Sequence, residues 1–119
     1  QTFETCLSHM KDELRYPENI HVIKGDVEIT WPRFIKQNPG VRLNFVNMDM
    51  DLYEPTNTVL EFLPEVMVRG GLILFDEYGY PEWPGATRAV DKFIKKYSLE
   101  LKRIPWAYGP SAYCVWTEI

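Results

Sequence analysis

Phe45-Val46-Asn47-Met48-Asp49-Met50-Asp51-Leu52-Tyr53-Glu54-Pro55 is an apolar run that stops abruptly in acids and restarts as a helix. It reads as a buried strand that delivers carboxylates to its C-terminal end. Downstream, Gly71-Leu72-Ile73-Leu74-Phe75 repeats the arrangement and ends in Asp76-Glu77. Between the two, Pro55 suits a first helical turn, and Val59, Phe62, Leu63, Val66 and Met67 fall on one helical face until Gly70-Gly71. A strand, helix, strand unit of this kind predicts parallel neighbours joined by a right-handed crossover. Neighbouring strands lie about 4.8 Å apart, so carboxylates at matching ends can share one cation, at the edge where open α/β sheets bind their ligands.

The flanking segments extend this pattern. Phe3, Cys6, Leu7, Met10 and Leu14 have the spacing of a helix with one apolar face, and Pro17 and Asn19 stop it. Ile20, Val22 and Ile23 read as a short strand closed by Lys24-Gly25-Asp26, where Asp26 is either a helix cap or a holder of a polar ligand group. Thr30-Trp31-Pro32 places a proline in a helix first turn, with Trp31, Phe34 and Ile35 facing inward. Ala86, Val90, Phe93, Ile94 and Tyr97 form another amphipathic helix. Leu99 to Trp106 and Ala112 to Thr117 are two terminal strands whose short link, residues 107–110, implies an antiparallel hairpin.

The 119 residues read as a single domain, residues 1–119, and the chain opens at Gln1 inside a helical pattern, as a fragment would. Net charge is −4 with no Lys/Arg cluster, which argues against a nucleic-acid partner. No apolar run approaches a membrane span and no signal-peptide pattern opens the chain. Cys6 and Cys114 have no metal or redox spacing; both read as core thiols, which fits a reducing cytoplasm. His9 lies off the apolar stripe and faces solvent, while Trp31, Trp106 and Trp116 read as structural.

Asp49, Asp51, Asp76 and Glu77 are hard oxygen donors, suited to Mg²⁺, Mn²⁺ or Ca²⁺ rather than zinc, although acids at strand ends also cap the helices that follow. Tyr53, Tyr78, Tyr80 and Trp83 follow those acids closely, either as a stacking wall for a substrate ring or as a cover over the core. The loop from Tyr78 to Gly85 is long enough to overhang the acidic site.

Three ordered motifs, Met48 to Thr56, Arg69 to Gly79 and Gly85 to Phe93, resemble the macrocin O-methyltransferase family of class I S-adenosylmethionine-dependent methyltransferases. The resemblance covers nearly the whole chain. It implies an α/β Rossmann-like class I methyltransferase fold, incomplete, with strands three to seven, a C-terminal antiparallel hairpin and the first two strands absent. In the family's sheet order, 3-2-1-4-5-7-6, strand three is then left without its neighbour. The implied activity is Mg²⁺-dependent methylation of a sugar or natural-product hydroxyl.

Carried over residue by residue, the resemblance makes Asp49, Asp76 and Glu77 metal ligands, Glu77 standing where the family usually has Asp. It sets Asp26, Val27 and Asp49 toward the cofactor and Asp49 at the chemistry. Asp51, two residues beyond Asp49, falls on the same side if the strand persists, as the base or a fourth ligand. The glycine-rich turn after strand one and the ribose-holding acid of strand two have no counterpart in the sequence. Two other readings stand beside this one. A non-catalytic methyltransferase-like binding or assembly module keeps the fold without turnover, and a phosphoacceptor receiver domain has this length and an acidic pocket but carries its acid pair after the first strand. A homo-oligomer is compatible with either.

Overall fold

The two apolar runs pair as parallel strands. Leu43–Met48 (β1) lies beside Met67–Phe75 (β2), with Phe45 opposite Leu72 and Met48 opposite Phe75. The computed structural model describes residues 3–76, 78–107 and 111–118. In it Ala112–Val115 (β4) runs antiparallel to β2, and the two-residue strand Lys102–Arg103 (β3) pairs antiparallel to β4. The sheet order is therefore β1-β2-β4-β3, the 4-5-7-6 end of the order expected from the resemblance. The antiparallel hairpin is present, though its first strand is shorter than the sequence suggested, and Tyr108, Gly109 and Pro110 of its link lie outside the described residues.

Helices Phe3–Glu13 (α1), Val27–Gln37 (α2), Tyr53–Phe62 (α3) and Pro84–Tyr97 (α4) complete the elements. The core joins Met48, Ile73, Phe75 and Cys114 of the sheet to Val59 and Leu60 of α3 and Ala89, Val90 and Phe93 of α4. Strand alternation sends the neighbouring residues to the opposite face. There Leu72, Leu74 and Tyr113 are half-buried, and Phe45 and Val115 are exposed. Phe93, Tyr97 and Trp116 pack ring against ring at 5.0 to 5.9 Å between centroids, which ties α4 to the end of β4. No helix among the described residues is long and apolar enough to cross a membrane.

Several expectations need correction, each for a physical reason. Residues 20–24 form no strand, and Val22 and Ile23 are exposed. A strand needs a ladder partner, and none is present for these residues among the described ones. β1 is an edge strand in which only Met48 is fully buried, so the opening run is apolar without being enclosed. α2 starts six residues before Pro32, at the Asp26 cap, and holds the proline in its interior.

α3 stops at Phe62, where the turn Leu63–Glu65 with Pro64 takes over, so Val66 and Met67 leave the helix. Gly70-Gly71 then lies inside β2 and accommodates a register slip, since Leu43 is opposite Met67 but Phe45 is opposite Leu72. Gly70 has φ +86°, and a Cβ on Gly71 would come within 2.9 Å of the Val68 carbonyl oxygen. Of the two cysteines, Cys114 is buried as expected but Cys6 is exposed. Met10 and Leu14 beside it are exposed too, because the stripe of α1 has no cover among the described residues; the side chains of Phe3 and Leu7 lie outside them. Trp116 is buried, whereas Trp106, read as structural, is 85 % exposed.

A candidate metal centre at the strand ends

The pairing of Met48 with Phe75 brings the next residues, Asp49 and Asp76, out of adjacent strands side by side. The Asp76 N–H donates to the Met48 carbonyl at 2.9 Å, which carries the ladder one bond past β2. Beyond Asp49 the strand does not persist. Met50 tucks against the core, and the Leu52 N–H donates back to the Met50 carbonyl at 2.6 Å across Asp51, whose φ is +61°. This is a γ-turn with a non-glycine residue in left-handed space, a conformation costing about 1–3 kcal/mol that tends to occur at functional sites.

The turn folds the Asp51 carboxylate back toward the strand ends. One carboxylate oxygen from each of Asp49, Asp51 and Asp76 lies within 4.8 Å of the other two. Asp49 is exposed and the other two are half-buried. Three negative groups at this spacing repel one another, and a hard divalent cation relieves that repulsion while accepting all three oxygens. The donor set, all carboxylate with no His or Cys, fits Mg²⁺ or Mn²⁺ better than zinc. Glu77, expected as a further ligand, lies outside the described residues.

Other residues singled out from the sequence stand elsewhere. Asp26 is the N-cap of α2: its Oδ1 accepts from the Glu28 N–H at 2.9 Å, and it is not part of the carboxylate group. Val27 is half-buried against the core. Tyr53 opens α3, and the Arg88 guanidinium sits 4.6 Å from its ring centroid. A Cβ on Gly85 would approach the Tyr53 nitrogen to 3.0 Å, so only glycine lets the first turns of α3 and α4 abut here.

The Tyr78 hydroxyl donates to Asp91 on α4. Burial, and then the Asp91 carboxylate beside it, push this phenol up to about 12, with Arg103 pulling weakly the other way. The Gly79 N–H donates to Thr87 Oγ1 at 2.9 Å, and Ser111 Oγ donates to the Tyr78 carbonyl at 3.1 Å. Tyr80 is half-buried; Trp83 is on the border of exposure, its N–H bonded to the Tyr80 carbonyl at 3.0 Å. Thr87, Asp91 and Ser111 were missed by sequence reasoning. The available signal was the four-residue spacing of Thr87 and Asp91, which puts both on one side of α4.

The model of the family described as Macrocin-O-methyltransferase (TylF) matches residues 14–107. CalS11, a TDP-rhamnose 3'-O-methyltransferase of calicheamicin biosynthesis, superposes in its apo structure with a TM-score of 0.79 at 30 % identity, covering 97 % of this chain and 50 % of CalS11. A second CalS11 structure gives the same TM-score and identity, with 45 % of that chain covered. The O-methyltransferase NovP superposes with a TM-score of 0.79 at 25 % identity, covering 98 % of this chain and 46 % of NovP. The chain thus spans about half the length of the solved structures it matches. No curated protein sequence matches it significantly.

Proposed function

The chain belongs to the macrocin-O-methyltransferase family, and on that premise we propose that it supplies the metal-binding and acceptor-side half of an S-adenosylmethionine- and Mg²⁺-dependent methyltransferase acting on a sugar hydroxyl. The observation that carries this reading is the meeting of Asp49, Asp51 and Asp76 at adjoining strand ends. Asp49 and Asp76 hold the metal, and Glu77 adds a ligand from the residue after Asp76. A bound Mg²⁺ would orient neighbouring hydroxyls and acidify the one that attacks. Asp51, close to both, accepts that hydroxyl's proton or serves as another ligand. Tyr53, Tyr80 and Trp83 wall the acceptor. The choice of a sugar follows CalS11, whose acceptor is a TDP-linked rhamnose.

On the cofactor side the chain offers little by itself. Asp26 keeps one carboxylate oxygen beyond its capping bond, and with Val27 it faces the adenine end in this reading. The glycine-rich turn that would cradle the methionine moiety is not among these residues, so no transfer step is assigned to them. The 119 residues alone are expected to bind S-adenosylmethionine weakly.

In a protein that carries these residues together with a cofactor-binding half, Asp76→Ala should lower turnover roughly a hundredfold, the scale of lost positioning and acid-base help. Tyr80→Ala and Trp83→Ala should mainly raise KM, since a stacking wall holds ground and transition states alike. Steady-state kinetics on a vicinal-diol sugar separates the two classes. Full activity in excess chelator would rule the metal out, and metal uptake without turnover would favour a binding module.

A further inference from the structure

Phe75, Tyr78 and Gly79, on either side of the strand end, are held by bonds from two directions. Ser111 N–H donates to the Phe75 carbonyl at 3.1 Å, and the same residue's hydroxyl donates to the Tyr78 carbonyl. From the other side the Gly79 N–H reaches Thr87, and the Tyr78 hydroxyl reaches Asp91. α4, which presents Thr87 and Asp91 one turn apart, is itself fixed, because Ala86, Ala89, Val90 and Phe93 are buried and Gly85 abuts Tyr53. Gly79 has φ +80°, a turn that only glycine makes without strain.

We propose that Thr87 and Asp91 are positioning residues that pin the loop following Asp76, so that the strand-end carboxylates and the aromatic wall beyond them are presented in one arrangement before any ligand arrives. The proposal rests on the reading of the triad as a metal site for its functional consequence, and on the hydrogen bonds alone for the pin itself. Loops left free must be ordered at the moment of binding, and anchors that order them in advance raise affinity. Neither residue belongs to the carboxylate triad. The effect of Thr87 passes through the Gly79 backbone N–H and that of Asp91 through the Tyr78 side chain.

The test uses amide hydrogen exchange at Gly79 and calorimetric titration of Mg²⁺, both on the 119-residue chain. Thr87→Val, which keeps the shape and removes the acceptor, should speed Gly79 exchange about tenfold or more and weaken Mg²⁺ binding about three- to tenfold. Thr87→Ser should restore both, and the urea midpoint should stay near that of the parent. Asp91→Ala and Tyr78→Phe should have like effects on the loop, and the double variant should be no worse than either, as expected for two halves of one bond. Unchanged Gly79 exchange in Thr87→Val would overturn the pin. Faster exchange with unchanged Mg²⁺ affinity would overturn its role at the site. Should the parent chain take up no Mg²⁺, the metal reading fails by itself, and the exchange rates of Thr87→Val and Asp91→Ala alone decide the pin.

Discussion

Strands β2 and β4 and the outer margin of the molecule are built from similar residues and reach opposite ends of the burial scale. Ile73, Phe75, Cys114 and Trp116 are at most 2 % exposed, whereas Val22, Ile23 and Phe45 are 45 to 53 % exposed. The difference does not lie in apolarity. Each central residue lies in the core shared with α3 and α4, while residues 20–24 have no ladder and Phe45 lies on the sheet face turned away from that core. Hydrophobic patterning shows what a residue is suited to, and the presence of a facing surface decides whether it is buried. A groove of about 270 Å³ runs along this margin, lined by Trp31, Phe45, Val46 and Met50 among others.

The contrast should appear first in stability. Phe75→Ala removes a ring that is 1 % exposed and should cost about 3–5 kcal/mol by urea denaturation. Phe45→Ala removes the same ring from the open side and should cost under about 0.5 kcal/mol. Equal costs would show that β1 is enclosed in solution and erase the distinction.

A backbone pair sharpens it next. A methyl on Gly71 would meet Met67 Cε at 2.6 Å and the Val68 carbonyl, while one on Gly40 would meet nothing within 4 Å. Gly71→Ala should therefore destabilise by about 1–3 kcal/mol. Gly40→Ala should be neutral or stabilise slightly, by up to about 1 kcal/mol, through the unfolded chain.

The thiols give the smallest effect. Burial pushes the Cys114 thiol up from 9.0 to about 11. Since its folded value is raised, the stability linked to it is full below pH 9 and is lost as pH climbs toward 11. At pH 8 iodoacetamide should label exposed Cys6 readily and Cys114 only on unfolding, as peptide mapping would show.

The parts of this fold that were legible in the sequence are those decided by local pattern with a partner nearby. The two acid-ended runs, the helix between them, α4 and the terminal hairpin all follow from periodicity and turn residues. Ile20 to Ile23 have the pattern of a strand but form none, because local sequence carries no trace of whether a neighbour is there to pair with. Pro64 and the register slip at Gly70-Gly71 shortened α3 because a tertiary demand, keeping Met48 level with Phe75, outweighed the helical spacing of Val66 and Met67. The meeting of Asp49 with Asp76 was readable from strand ends. The folding back of Asp51 was not, since it depends on a left-handed turn at an aspartate that no local motif announces. Thr87 and Asp91 looked like ordinary polar positions on a helix, and only the path of the loop beside them shows what they hold.

Whether the well-built strand ends are a metal centre, and not merely polar termini, is decided by titrating Mg²⁺ into the chain and into Asp76→Asn, a substitution of nearly equal size that removes one charge from the triad. The account predicts saturable, weak, single-site binding to the parent chain, with Asp76→Asn reducing it at least tenfold and the fold unchanged by circular dichroism. Equal affinity in the two proteins, or no binding to the parent, would assign Asp49, Asp51 and Asp76 to structural capping and contradict the proposed function at its centre.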